Sequence, residues 1–251
     1  MKSSLLWSAC FLAAFLLTQL IGAAAIILLT RQGLAPSPEI SLILSLAVAN
    51  LLAILLFFVL KPRDLTWHTT CSGLRYPGLR HTLLGIMMAP SVIILVNLSM
   101  EPFDIPDIID VNLMTGLMRN PWGILVVTLV GPIAEELIFR GGILHHLMRG
   151  TKEPWVAILV SALVFALIHG NPAQMPGAFL LGILLGWTYV RSGSLLAPIF
   201  IHVFNNALGC CFPCQTMSDI FGGWVGAGIA AAVALVWLGV MISQARHQLP
   251  D

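Results

Sequence analysis

The chain has 251 residues, of which only 9% are Asp, Glu, Lys or Arg while 58% are hydrophobic. A typical soluble domain carries about 25% charged residues, so soluble enzymes, nucleic-acid binders and disulfide scaffolds are excluded. The net charge of +1 identifies no partner, and the composition is that of a polytopic membrane protein.

The first charge-free stretch, Ser3–Thr30, exceeds the roughly 20 residues a helix needs to cross a bilayer, as do Ile40–Leu60 and Ile220–Ala245. Membrane β-barrels are built from alternating segments of about ten residues, so these longer runs read as helices. In chain order the expected spans are 5–29, 40–60, 82–100, 122–148, 154–169, 177–190, 195–209 and 220–244. The fold class is therefore all-α, a single transmembrane domain over 1–251 with about eight helices. Residues 1–119 supply three spans and an outer loop without chemical signature, 120–210 supply spans four to seven, and 211–251 supply an outer loop and the last span. Lys2 and the small residues Gly22–Ala25 imitate a signal peptide. A signal h-region covers only about 7–15 residues, and the longer run reads as a retained first span.

Orientation follows from the basic residues of the short loops. With the N-terminus inside, Lys2, Lys61, Arg63, Arg75, Arg80, Arg140, Arg149, Lys152, Arg191 and Arg246 fall on the cytoplasmic side, and Arg31 and Arg119 outside. The expected topology is N-in and C-in. The outer segment 101–119 carries Ile105, Ile108, Ile109, Leu113 and Leu117 among its acids, which fits either a short interfacial helix or a polar loop. Cys210, Cys211 and Cys214 also fall outside, where a disulfide and free thiols are both open.

Spans four, five and seven contain Glu135, Glu136, Arg140, His169 and His202. A charged group near the bilayer centre costs at least about 2.5–3.5 kcal/mol on insertion scales, so these residues need a reason. Glu136 and Arg140, at i,i+4 on one helical face, read as a mutually neutralising structural pair. Glu135 is rotated about 100° away and has no such partner, which makes it the candidate general base. Counting back and forward from the turn at Gly150–Glu153 brings Glu135 and His169 to one depth, roughly 25 Å along their helices. Phe165, one turn before His169, is expected to orient its ring. His202 and Asn206 share a face of span seven, and their donors suit a developing oxyanion or bonds to neighbouring helices.

The residues Glu135-Glu136-Leu-Ile-Phe-Arg140-Gly141 form an E-E-x-x-x-R-G motif, Phe165–His169 an F-x-x-x-H and His202–Asn206 an H-x-x-x-N. In this order and on these spans they resemble the CAAX protease and bacteriocin-processing (Abi) family of intramembrane proteases, of CAAX prenyl endopeptidase type. The resemblance covers about residues 120–210. It implies a membrane endopeptidase in which Glu135 and His169 activate water, His202 and Asn206 stabilise the tetrahedral intermediate, and Glu136 and Arg140 hold the helices. It leaves two routes. The favoured one needs no cofactor. The other recruits zinc through His169, His202 and Glu135.

The substrate so implied is a peptide or lipidated protein delivered by the bilayer, with no nucleic acid and the oligomeric state open. One rival is a non-catalytic immunity or scaffold member of the family. Another is a proton-coupled transporter using Glu135, which calls for inverted repeats that the first three spans do not supply. The modest length and absence of an N-terminal targeting extension point to a prokaryotic inner membrane.

Overall fold

The computed structural model describes residues 2–34, 36–62, 65, 78–103, 105, 107–108, 110–151, 153–211 and 217–246. Arg63, Arg75, Asp104, Ile109, Lys152 and Cys214 lie outside the described residues, as do the side chains of Lys2 and Arg246. Every regular element among the described residues is a helix: α1 Lys2–Arg31, α2 Pro38–Leu60, α3 Gly78–Met100, α4 Val111–Arg119, α5 Pro121–Gly150, α6 Pro154–Leu167, α7 Met175–Ser192, α8 Leu196–Cys211, α9 Met217–Ile220 and α10 Trp224–Arg246. The protein is an all-α, multi-pass integral membrane protein.

Each of the eight expected segments is helical, but among the described residues five helices rather than eight are long and apolar enough to cross a membrane: α1, α2, α3, α5 and α10. Helix length explains part of the difference. At 14 and 16 residues, α6 and α8 rise only about 21 and 24 Å, against a hydrocarbon core of about 30 Å. Helix α7 has 18 residues, and Thr188, Tyr189, Arg191 and Ser192 dilute its apolar character.

Helices α1 and α2 pack antiparallel, with Gly22 against Ser45 and Ala49 and Phe11 beside Phe57. Gly33, at φ +68°, takes the left-handed conformation that ends α1. Helix α3 runs antiparallel to α7, His81 meeting Trp187 and Val96 lying beside Gly177. On its other flank Trp237 of α10 donates to the Met87 carbonyl at 2.9 Å. Within the segment 101–119, the second half is the helix α4. Asp110 caps it by accepting from the N–H groups of Asn112 (2.7 Å) and Leu113 (3.3 Å), and Leu117 is buried with Ile43 and Val126. Cys210 and Cys211 are free thiols.

Helix α5 is continuous but not uniform. Two π-helical stretches, Val126–Val130 and Leu137–Leu144, flank the α-helical turn Gly131–Glu136 that carries both glutamates. The first has a cause in sequence. Pro132 has no N–H, and the N–H of Gly131 reaches back five residues to Val126. The Val127 carbonyl thus loses both its α-helical and its π-helical donor. Asn206 Nδ2 of α8 supplies one instead, at 3.0 Å. In the second stretch, a Cβ on Gly141 would lie 2.7 Å from Phe57 Cε2, and one on Gly142 would lie 2.5 Å from Phe11 Cδ1. The two glycines let α1 and α2 close on α5, where Phe11, Phe57, Phe139 and Phe165 build the main core.

Candidate active site

Three elements converge on the space beside α5. Glu135 and Glu136 come from its central α-helical turn, His202 and Asn206 from α8, and Phe165 from α6. His169 lies just beyond α6, in a turn completed by Gly170 at φ +64°.

The two adjacent glutamates have different surroundings. Glu136 is fully buried; its Oε1 accepts from Arg140 Nη1 at 2.9 Å and from His202 Nδ1 at 2.8 Å. Glu135 keeps 22% of its side chain exposed, and its Oε2 lies 3.8 Å from His202 Nε2. That is too far for a direct hydrogen bond, yet close enough for both groups to share one off-axis water or substrate oxygen. A carboxylate only accepts, so the 2.8 Å contact places a proton on His202 Nδ1 and turns Nε2 toward Glu135.

Arg140 is anchored a second time by donating from Nη2 to the Gly182 carbonyl of α7 at 3.1 Å. Its guanidinium lies 4.6 Å from the centroid of the Phe165 ring, within cation–π range. Phe165 is a shared platform, because His169 and His202 both meet it edge-on, at 4.9 and 5.8 Å. The His169 ring is further fixed by Nδ1 donating to the Phe165 carbonyl at 2.7 Å, which leaves Nε2 as its accepting nitrogen.

The expected residues are therefore gathered, with a change of partner. The near neighbour of Glu135 is His202, and His169 joins the group through Phe165. Asn206 serves the Val127 carbonyl with one amide hydrogen and accepts from Asn205 Nδ2 at 3.1 Å, keeping a second amide hydrogen. The sequence gives no sign of the Gly182 and Val127 carbonyls, since a backbone acceptor has no residue signature. Asn171, two residues beyond His169, is buried and donates to Asp107 at 2.9 Å, tying the His169 turn to the segment 101–119. Only its polarity beside the F-x-x-x-H motif could have drawn attention to it.

His169, His202 and Glu135 do not form a zinc-binding trio as placed. No three His, Cys, Asp or Glu side chains among the described residues are grouped to hold a metal ion. His202 commits Nδ1 to Glu136 and turns Nε2 to Glu135 across 3.8 Å.

Residues 118–208 match the family described as type II CAAX prenyl endopeptidase, Rce1-like, and all three motifs lie inside the match. The resemblance drawn from the motifs is thereby borne out. The chain is 33% identical over 99 residues to the membrane-embedded CAAX protease MroQ of Staphylococcus aureus, covering 38% of this chain and 40% of that one. It is 28% identical over 101 residues to CAAX prenyl protease 2 of Arabidopsis thaliana, 32% of each. The alignments thus span less than half the length of these relatives. No solved structure is a significant match.

Proposed function

We propose that the chain is an intramembrane endopeptidase that hydrolyses a peptide bond of a membrane-delivered or prenylated substrate. Glu135 acts as general base. The observation that carries this is the contrast between two adjacent carboxylates, one sealed against Arg140 and one partly exposed and facing an imidazole.

In this reading Glu135 takes a proton from a water that His169 Nε2 helps to align. The resulting hydroxide attacks the scissile carbonyl carbon, and the proton passes on to the departing amine. The remaining amide hydrogen of Asn206 donates to the oxyanion, joined by His202 Nε2 when that nitrogen carries a proton. Glu136 and Arg140 hold the imidazole and α7 in place. The site works in an N-in, C-in membrane domain, and an inner membrane suits the bacterial relatives. The Rce1-like match over 118–208 and the CAAX protease names of the relatives support the reaction class. No step runs through a metal.

The test is cleavage of a prenylated peptide by the full chain in detergent, with and without chelator, beside Glu135→Gln. Activity in the parent that survives chelation and is lost in Glu135→Gln supports the assignment. Unchanged cleavage by Glu135→Gln refutes the base, and activity abolished by chelator and restored by zinc refutes the metal-free route.

A further inference from the structure

A cavity lies away from the glutamates, on the far face of the helix that receives Arg140. It has a volume of about 770 Å³ and runs between α3, α7 and α10. Met88 and Ser99 of α3 mark its extent on one wall, Leu184 and Trp187 of α7 form the other, and Leu238 of α10 closes the side. Helices α3 and α7 are antiparallel, and Ser99 and Arg191 each sit one residue from the end of their helices. The groove therefore spans roughly 28 Å, nearly the thickness of a hydrocarbon core.

Its walls are apolar, but one mouth is not. Trp155 of α6, Trp187 and Arg191 line that end together. Tryptophan rings beside a basic residue are the side chains that settle at the headgroup level of a bilayer. Arg191 is exposed, and no acid among the described residues pairs with it. An apolar groove with an unpaired cation at an aromatic mouth is complementary to an amphiphile carrying an anion at one end and hydrocarbon beyond it.

We infer that this groove binds an anionic phospholipid, with the phosphate at Arg191, the glycerol region between Trp155 and Trp187, and acyl chain along α3 and α7. Binding there braces α7 from behind, opposite the Gly182 carbonyl that holds Arg140.

The experiment places the full chain in nanodiscs containing brominated phosphatidylglycerol or brominated phosphatidylcholine at equal mole fraction and reads tryptophan quenching. The component lost in Trp187→Phe reports the groove. Wild-type protein should favour the anionic lipid about fivefold, the weight of one basic residue at a lipid surface. Arg191→Gln should bring that ratio to about one, Val92→Phe should reduce groove quenching for both lipids, and unlabelled phosphatidylglycerol should reverse the wild-type signal. Equal quenching by both headgroups in wild-type protein, or a preference retained in Arg191→Gln, overturns the assignment. So does displacement by a prenylated peptide in preference to unlabelled phosphatidylglycerol, which would give the groove to the substrate. No cleavage is measured, so the outcome is independent of protease activity.

Discussion

Replacing Arg140 by Met tests whether the charge cluster is held together as described. The substitution keeps an unbranched apolar side chain but removes the 2.9 Å bond to Glu136, the 3.1 Å bond to the Gly182 carbonyl and the contact with the Phe165 ring. Glu136 then remains fully buried with His202 Nδ1 as its one remaining donor among the described residues. Breaking a buried pair from one side costs about 3–5 kcal/mol, because the partner's charge stays desolvated. For a chain of this length that corresponds to an apparent Tm lower by roughly 6–20 °C. The double variant Glu136→Gln/Arg140→Met removes both charges yet leaves His202 an acceptor, and it should recover to within about 1–2 kcal/mol of the parent. Scanning fluorimetry in one detergent at fixed heating rate compares the three proteins. A loss of under about 1 kcal/mol in Arg140→Met is the value of an exposed ion pair, and it would refute the burial argument. A double variant no more stable than the single one would refute the charge argument.

Other predictions follow from the same geometry. Glu135→Gln should reduce cleavage of a prenylated peptide by about 10²–10⁴-fold while moving the apparent Tm by less than about 2 °C, since that side chain is partly exposed. Asn206→Ala strands the Val127 carbonyl, so it should cost about 1–3 kcal/mol in thermal unfolding as well as lowering the rate. That cost should shrink in a Pro132→Ala background, where an N–H returns to the ladder; a stability loss equal in both backgrounds would contradict the proline account. Gly142→Ala should destabilise by about 1–3 kcal/mol through collision with Phe11, and Phe11→Leu should relieve part of the loss in the double variant.

The sequence discloses the helices and the chemistry more readily than the contacts. All eight apolar segments are helical, and every motif residue but His169 falls on its expected element, because hydrophobic runs and scarce charges are strong signals in a membrane chain. The pairing of Glu135 with His169 rested on an ideal rise from the turn near Gly150. Between that turn and Glu135 lies the π-helical stretch Leu137–Leu144, which alters rise and rotation, and His169 sits past the end of α6. Neither departure can be counted from residue spacing. The Glu136–Arg140 pair was legible because i,i+4 contact needs no tertiary information, whereas the 2.8 Å bond from His202 requires the crossing of α5 and α8. The role of Asn206 toward Val127 also depends on a proline on another helix.

The shortness of α6 bears on the membrane as well as on the protein. One side of this helix, including Val156, Leu159, Val160, Leu163 and Leu167, is open to the surroundings. At about 21 Å it falls some 9 Å short of the surrounding hydrocarbon, so lipid beside it must compress or polar headgroups must dip toward its ends. For the proposed hydrolysis, water is the second reactant, and a locally thinned bilayer shortens its route without any channel through the protein.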